Sequence, residues 1–374
     1  MLDKNICFIT TGDVKDIATA KRALGLANPL AALGWKVSIL MEDTNENRHR
    51  VSLECNDNIK VYYFPKSSVY QERRDKNILI SKINPSFLYI CAFVTRNIVG
   101  FNHPSKKLVE HSELQSSIPN IGIIKRIIHY IFEYVSIFYS DGIINASKYL
   151  QDLYIKRAKR IFRKKITMLY SPYAYNKSLI NLKKIDFSNK KWQSYQGKKC
   201  FIFLGSIVKN YGAFTILKAA KDLLDQNIRN FKILMIGKGT AYQDALNYVK
   251  KENIKDNIEL PGYIEEEEIS YYFSLASGFI LPMNNTIQDW ARCPSKLYMY
   301  LPYGKPIVTC KVGEPYEVLK DKGYYFEIGS HKSLASELKR IILNDEKSNI
   351  DSNNHTWDFR AFEFNRWIEN NFDL

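Results

Sequence analysis

Short apolar runs of strand length alternate with helix-length segments along this chain, a pattern typical of α/β folds. The first series opens with Ile6 to Thr10, a helical stretch from Ala18 to Leu33 and a second strand from Lys36 to Leu40. Further strands are predicted at residues 59–64, 87–92, 107–110, 142–145 and 166–169. Because strands that alternate with helices pair in parallel, the first half should contain one parallel sheet covered on both faces.

The same alternation restarts after a polar stretch from Asn176 to Gly197. The second series has predicted strands at 200–205, 231–237, 258–260, 278–281 and 306–309, with helices at 213–225, 266–275 and 296–301. We therefore predict two Rossmann-like domains, 1–190 and 191–345, and a tail, 346–374, whose helix from Trp357 to Phe372 packs on the first domain. Ligands bind open parallel sheets at the carboxyl ends of the strands, so the domains should face each other across a cleft.

The six cysteines stand singly, with no C-x-x-C pair and no histidine at zinc-ligand spacing. Neither a metal site nor a disulfide framework is expected, which favours the reducing cytosol. The N-terminus lacks the apolar region of a signal peptide, and no uninterrupted run of about 18 apolar residues occurs. The sequence thus predicts a cytoplasmic protein, and it lacks the Walker A, H-E-x-x-H and G-x-S-x-G motifs.

A formal net charge of +15 indicates an anionic partner, either nucleic acid, anionic lipid or a phosphorylated substrate. The segment Lys156 to Lys165 holds seven basic residues in ten. It has no nucleic-acid-binding motif, so a solvated surface or an anionic membrane surface is favoured over nucleic acid as its surroundings. The helix-like run Ile123 to Tyr139 carries a polar stripe on an otherwise apolar surface, which fits a buried helix or a helix at a membrane interface.

Glycines follow several of the predicted strands. Gly205 and the pair Gly237 and Gly239 each precede a helical segment, where backbone N–H groups and the helix dipole attract phosphate. Gly12, after the first strand, would let the acceptor or donor approach the backbone. Glycine also serves tight turns for purely structural reasons, so these turns alone do not identify a ligand.

The most informative motif is Arg292-x-Pro294-x-Lys296, at the start of a predicted helix. Proline suits the first turn of a helix. Two cations at that end oppose the helix dipole and so do not serve stability, which points to a bound anion such as a diphosphate.

The chain resembles glycosyltransferase family 4, whose members have the GT-B fold and include bacterial lipopolysaccharide and capsule transferases. The motifs are Phe203-Leu204-Gly205, Leu234 to Gly239, Leu260 to Ile264, and R-x-P-x-K-x-x-x-Y-x-x-x-G-x-P from Arg292 to Pro306. The resemblance implies that Arg292 binds the donor diphosphate together with the motif lysine, and that the residues around Ile264 receive the base. The implied donor-binding residues are Gly12, Gly205, Ser206, Lys209, Gly237, Lys238, Tyr263, Ile264, Asp289, Arg292, Ser295, Lys296, Tyr300 and Glu317, the last near the sugar.

Several positions depart from the family pattern. Ser206 and Tyr211 replace the usual arginine and lysine of the phosphate site, which leaves Lys209 as a candidate and shifts the role to the two cations of the R-x-P-x-K motif. Met299 replaces the second glutamate of the family's E-x7-E pair, which leaves Asp289 as the candidate ribose ligand.

In the first half, Glu110-His111-Ser112-Glu113 ends a predicted strand and resembles the family's E-x-H-E/D-L motif. The register puts Ser112 where the family has its active-site histidine, so the histidine is displaced by one residue. By this resemblance Glu110, His111 and Glu113 are the candidate catalytic residues. A purely structural histidine is the alternative.

The resemblance implies a retaining, metal-independent, hexosyltransferase-like enzyme that moves a sugar from a nucleotide-diphosphate sugar to a glycan or lipid-linked acceptor, as in lipopolysaccharide, capsule or other surface-polysaccharide synthesis. No cofactor and no nucleic acid partner are expected, since the nucleotide-sugar is a substrate. The protein would be cytoplasmic, and peripheral on the inner face of the cytoplasmic membrane if it uses an anionic membrane surface. A non-catalytic partner subunit and a sugar-nucleotide epimerase are the alternatives.

Overall fold

The computed structural model describes residues 2–15, 18–162, 166–177, 180, 182–209, 212–344 and 346–374. The chain forms two compact units. The first contains Met1–Asn176, Ala291–Cys293 and Asn353–Leu374, and the second contains Lys177–Trp290 and Pro294–Ser352. Each unit is built on one parallel sheet accompanied by helices, which confirms the predicted α/β class.

The first unit has seven strands in the order β3-β2-β1-β4-β5-β6-β7. The strands are β1 (Asn5–Ile9), β2 (Lys36–Glu42), β3 (Lys60–Phe64), β4 (Phe87–Ile90), β5 (Lys106–His111), β6 (Gly142–Asn145) and β7 (Thr167–Tyr170). The helices among them are α1 (Ala18–Ala32), α2 (Asn45–Glu54), α3 (Val69–Ile83), α4 (Ile123–Tyr139) and α5 (Lys148–Phe162). The central strands are almost wholly buried, because helices cover both faces of a parallel sheet.

The second unit has six strands in the order β10-β9-β8-β11-β12-β13. The strands are β8 (Lys199–Leu204), β9 (Phe231–Ile236), β10 (Ile258–Gly262), β11 (Ala276–Leu281), β12 (Ile307–Thr309) and β13 (Tyr324–Tyr325). The helices are α6 (Lys190–Gln193), α7 (Ala213–Asp225), α8 (Tyr242–Lys251), α9 (Glu266–Leu275), α10 (Ile287–Ala291), α11 (Ser295–Tyr300), α12 (Gly313–Leu319) and α13 (His331–Asn344). Apolar residues of α7 and α13 share one core with β8 and β9.

The last helix, α14 (Trp357–Asn371), belongs to the first unit. Thr356 caps its N-terminus by accepting the Phe359 N–H. Its buried aromatic residues lie in the same apolar core as β1 and α1. The Trp35 indole Nε1 donates to Asn365 Oδ1 at 2.9 Å. The tail helix therefore completes the core of the first unit.

The unit boundaries differ from the domain boundaries expected at 190/191 and 345/346, since the second unit begins at Lys177 and ends at residue 352. The segment before β8 packs on the second unit. The Trp192 ring stacks with Tyr271 at a centroid distance of 6.0 Å, and Tyr195 donates to Glu259 at 2.7 Å. These aromatic contacts lie in the polar stretch from Asn176 to Gly197 that precedes the second series of strands.

Helix α4 exposes most of its apolar side chains and buries two of its polar ones. Ile123 and Ile124 are 75% and 72% exposed, whereas Glu133 and Ser136 are 4% and 0% exposed. The sequence-based alternative of a buried helix for Ile123 to Tyr139 is therefore wrong, because the apolar face of this helix is exposed. Within the described residues, no helix combines the length and hydropathy needed to cross a membrane.

A buried ion pair ties together four parts of the first unit. Arg22 of α1 is 2% exposed, and its Nε lies 2.7 Å from Glu110 Oε1 at the end of β5. Its Nη1 donates to the Ser171 and Pro172 carbonyls just after β7, at 2.8 and 3.3 Å. The guanidinium lies 5.7 Å from the ring centroid of Trp357. One side chain thus joins α1, β5, the segment after β7 and α14.

We expect Arg22→Leu to lower the free energy of unfolding by about 3–5 kcal/mol, because it leaves the buried Glu110 carboxylate without its partner. The double variant Arg22→Leu/Glu110→Leu should lose less, since no lone charge remains. Urea denaturation measures both. The surface pair Lys4–Glu369, at 3.0 Å, supplies the control, because Lys4→Leu should cost less than about 1 kcal/mol. Equal losses for Arg22→Leu and Lys4→Leu would contradict this account.

Candidate active site

A polar pocket lies at the carboxyl ends of β4 and β5 in the first unit. This is the edge at which open parallel sheets bind ligands. All three candidate catalytic residues line it, and one face of α4 closes it. The lining residues are Ala92, Phe93, Glu110, His111, Ser112, Glu113, Gln115, His129, Phe132 and Glu133.

His111 is held on both ring nitrogens. Its Nε2 lies 3.0 Å from Ser136 Oγ, its Nδ1 lies 3.1 Å from the Tyr154 hydroxyl, and its ring stacks on Tyr154 at 4.1 Å. Ser136 Oγ donates to the Glu133 carbonyl, so it accepts from His111, and Nδ1 accepts from Tyr154. Burial, with a smaller effect of the Arg157 charge, lowers the pKa of His111 to about 3. A neutral imidazole with both nitrogens occupied supports the pocket rather than exchanging protons with a ligand.

Glu110 is also part of the supporting structure. It is 1% exposed and forms the ion pair with Arg22. Burial raises the pKa of Glu110 to about 7, although the Arg22 charge acts in the opposite direction. Glu110 therefore anchors the end of β5, one residue before His111.

Glu113 is the candidate carboxylate that solvent reaches. It is half-buried, and it accepts from the Gln115 amide at 2.7 Å. Burial raises the pKa of Glu113, while the Gln115 hydrogen bond and the charges of Arg292 and His129 partly offset that effect. Glu113 is therefore the candidate catalytic residue that combines access to solvent with a raised pKa.

Arg292 reaches the neighbourhood of Glu113 because Ala291–Cys293 belong to the first unit. Ser147 Oγ donates to the Ala291 carbonyl at 2.6 Å, and Cys293 Sγ accepts the Tyr173 N–H at 3.2 Å. The R-x-P-x-K motif is thus divided, with its arginine in the first unit and its lysine in the second.

In the second unit, the glycine turns after β8, β9 and β10 lie against one another. Gly237 has φ +129°, and a Cβ there would lie 2.2 Å from the Gly205 carbonyl oxygen. Gly262 has φ +82°, and its Cβ would lie 2.8 Å from Lys238 Cε. Only glycine permits this approach, so these residues have a structural reason to be glycine, whatever they bind.

The predicted donor residues after these three strands lie at an open edge. Tyr263 is 78% exposed, and the Lys238 ammonium lies 5.9 Å from its ring centroid. Ser206 and Lys209 are exposed, and Ile264 is half-buried. This edge offers a lysine, an aromatic ring and backbone N–H groups. Tyr211 lies outside the described residues.

The predicted donor residues Asp289 and Tyr300 are both buried. Asp289 is 4% exposed, and its Oδ2 accepts from Thr286 Oγ1 at 2.9 Å and from the Asn284 N–H at 3.3 Å. Tyr300 is 0% exposed, and its hydroxyl accepts the Leu204 N–H at 3.0 Å. Both side chains thus hydrogen-bond within the second unit, and their predicted contact with the donor stays a prediction.

Ser295 and Lys296 are half-buried in the first turn of α11. Pro294 occupies the N-cap and supplies no side-chain hydrogen bond to that turn. Glu317 on α12 forms an ion pair with Lys320 and is partly exposed. Gly12, after β1, has φ +71°, and its carbonyl accepts from an asparagine of α2.

Three comparisons with known proteins bear on this arrangement. Residues 184–356 match the family model "Glycosyl transferases group 1". The amylovoran biosynthesis glycosyltransferase AmsD of Erwinia amylovora is 26% identical over 141 residues, which is 36% of this chain and 38% of AmsD. Sucrose-phosphate synthase from Thermosynechococcus elongatus is 14% identical and superposes with a TM-score of 0.71, over 98% of this chain and 99% of that one. The apo lipopolysaccharide outer core galactosyltransferase WaaB is 10% identical, with a TM-score of 0.67 over 98% and 100%.

This chain has the fold of the GT-B glycosyltransferases, and its residues 184–356 match the group 1 family model. The predicted fold is thereby confirmed, and the second unit contains most of the group 1 match.

The resemblance to GT-B glycosyltransferases did not reveal every residue of the pocket. His129 lines it from α4, four residues before Glu133 and therefore on the same face of the helix. The sequence shows Arg157 of α5 only as part of the basic tract. In the structure its Nη1 lies 3.0 Å from Glu133 Oε2, and the residue is 8% exposed. The spacing of His129 and Glu133 in the polar stripe was the available signal. The partner of Arg157 could not be read from sequence.

The contribution of His111 to the stability of this protein should decrease as the pH falls from about 6.5 towards 3, because the unfolded state takes up a proton on His111 that the folded state does not. The folded pKa lies below the ordinary value, so the stabilisation is present above that value and is lost on acidification. His111→Gln should flatten this dependence by up to about 1.4 kcal/mol per pH unit. Urea denaturation at several pH values measures the slopes. Identical slopes would contradict a neutral, buried His111.

Proposed function

We propose that this protein is a retaining glycosyltransferase that moves a hexose from a nucleotide-diphosphate sugar to a glycan or lipid-linked acceptor. The observation that carries the proposal is the open edge of the second sheet, inside the group 1 match, with its glycine turns, Lys238 and Tyr263. Backbone N–H groups and a lysine attract phosphate. An exposed aromatic ring provides a face on which a nucleobase can stack.

Synthesis of a surface polysaccharide is the process that we infer. The names of two similar proteins support it, because AmsD is a glycosyltransferase of amylovoran biosynthesis and WaaB acts on the lipopolysaccharide outer core. The acceptor class would then be a growing lipopolysaccharide, capsule or related glycan.

The leaving diphosphate gains negative charge as the bond between its oxygen and the anomeric carbon breaks. We assign Arg292 and Lys296 to offset that charge, with Ser295 as a further donor. Positive charge fixed beside the leaving diphosphate lowers the activation free energy, because it stabilises the transition state more than the ground state. The proposed chemistry therefore uses side chains of the chain itself, without a metal or another cofactor.

The pocket of the first unit is the proposed acceptor site. Glu113 would accept a hydrogen bond from the acceptor hydroxyl and orient it for attack. The raised pKa of Glu113 suits this role, since it marks a more basic carboxylate. Glu110 and His111 would hold the loop that carries Glu113.

A lipid-linked acceptor would place the protein at the inner face of the cytoplasmic membrane as a peripheral protein. The net charge of +15 supports this location, because the cytoplasmic leaflet carries anionic lipids.

Arg292→Ala and Lys296→Ala should each reduce turnover of the nucleotide-sugar by about 100-fold or more, the usual effect of removing one group that stabilises the leaving oxyanion. Release of the nucleotide, measured across a panel of nucleotide-sugars, reports both transfer and donor hydrolysis. Lys250→Ala, which removes an exposed lysine of α8, is the matched control and should retain activity. Full activity of both Arg292→Ala and Lys296→Ala would refute the diphosphate assignment. A wild type that binds no nucleotide-sugar would favour the non-catalytic partner subunit.

A further inference from the structure

The outward face of α4 is a continuous apolar stripe. Its exposed apolar residues recur three and four positions apart, which aligns them along one side of the helix. They are Ile123, Ile124, Ile127, Ile128, Ile131 and Val135, with exposures from 39% to 75%. Phe101, 58% exposed, extends the stripe, because its ring lies 5.0 Å from that of Tyr139 at the end of α4. An apolar surface of this kind marks an interaction site.

Arg157 fastens the basic end of α5 to α4. Its guanidinium lies 4.8 Å from the ring centroid of Tyr134 and 5.3 Å from that of Tyr130. Its Nη1 lies 3.0 Å from Glu133 Oε2. Arg157 is 8% exposed, so it serves this junction rather than the surface. The junction places the last turns of α5 beside the apolar stripe.

The surroundings of the stripe are cationic. Lys156, Lys159 and Arg160 are exposed on α5, and Lys125 and Arg126 are exposed near the start of α4. The sequence from Leu114 to Phe162 contains only Glu133, Asp141 and Asp152 as acids, and Glu133 is buried. Arg163, Lys164 and Lys165, which complete the basic tract, lie outside the described residues.

We propose that the α4 stripe and the basic end of α5 together dock on the surface of an anionic lipid bilayer. An apolar helix face flanked by lysine and arginine is the pattern by which helices lie in a membrane interface. The apolar side chains enter the boundary between head groups and acyl chains, and the cations contact the lipid phosphates. Charge complementarity favours this occupant over a second copy of the chain, because two copies would bring two cationic surfaces together.

The same helix lines the polar pocket on its inner side, through His129 and Glu133. A helix with its side chains is about 10–12 Å across. A docked α4 would therefore hold the pocket about one helix diameter from the lipid head groups. This step rests on the proposed function, since it brings the pocket within reach of a sugar that is linked to lipid.

The apolar part is tested with Ile124→Ser/Ile131→Ser in the full chain. Co-sedimentation is measured with vesicles of phosphatidylglycerol and phosphatidylethanolamine, and with vesicles of phosphatidylcholine alone. We expect the wild type to prefer the anionic vesicles and the variant to bind them about tenfold more weakly, because two apolar side chains no longer enter the interface. Leu53→Ser/Phe362→Ser removes two exposed apolar residues elsewhere on the same unit and should bind like the wild type.

The charged part is tested with a triple variant of α5 and a control of equal net charge. The triple variant is Lys156→Gln/Lys159→Gln/Arg160→Gln, and the control, also on exposed residues of the first unit, is Lys36→Gln/Lys60→Gln/Lys82→Gln. We expect roughly 100-fold weaker binding for the triple variant, since each cation at an anionic surface contributes about fivefold, and a much smaller effect of the control. Added salt should reduce wild-type binding.

Wild-type binding by both test variants, or equal losses in the controls, would overturn the proposal. The proposal would also be overturned if the wild type did not bind vesicles and instead formed a dimer that the Ile124→Ser/Ile131→Ser variant does not form. Circular dichroism confirms that each variant is folded. Nucleotide-sugar binding is measured on the same proteins without vesicles. A variant that loses vesicle binding but still binds the nucleotide-sugar shows an effect on the docking surface alone. A wild type that binds vesicles but no nucleotide-sugar refutes the proposed function and leaves the docking surface standing.

Discussion

The buried pair between Arg22 and Glu110 is the constraint on which the first unit depends. An unpaired charge at this depth would be costly, so the elements that supply the pair and its hydrogen-bond partners have to assemble together. Those elements are α1, the end of β5, the segment after β7 and α14. Glu110 precedes Glu113 by three residues, so the ion pair also sets the starting point of the loop that lines the pocket.

Within that frame, α4 acts on both of its sides. Its inner side contributes His129 and Glu133 to the pocket, and its outer side presents isoleucines to the surroundings. Arg157 links this helix to α5 through one carboxylate and two tyrosine rings. The pocket and the apolar stripe are thus properties of a single helix, and a change in its position would affect both.

The strands and the class of fold could be predicted from the sequence because buried parallel strands are continuous apolar runs. The predicted helix over 213–225 coincides with α7, because apolar residues recur along this segment with the period of an α-helix. By contrast, α2 (Asn45–Glu54) is mostly polar, and its place depends on a cap by Thr44 and on tertiary contacts. The unit boundary near Lys177 depends on aromatic contacts of Trp192 that local composition does not reveal.

The candidate site was less predictable, because its geometry depends on distant parts of the chain. The motif around His111 indicated the correct edge of the sheet. It could not show that Tyr154 and Ser136 would occupy both nitrogens of that ring. The family pattern includes Tyr300, whose hydroxyl instead supports β8 from within the core. Likewise, Arg292 belongs to the first unit because its neighbour Ala291 accepts a hydrogen bond from Ser147, which is 144 positions away in the sequence.

The proposed function requires the protein to bind a nucleotide-sugar. Thermal unfolding of the whole chain in the presence of uridine, guanosine, adenosine and thymidine diphosphate sugars tests it most directly, because a ligand that binds only the folded state must stabilise it. We expect at least one diphosphate sugar to raise the midpoint temperature of unfolding. The stabilisation should be about 2.7 kcal/mol when the ligand is at 100 times its Kd, and it should be reduced in Lys296→Ala. No shift with any diphosphate sugar would contradict the account.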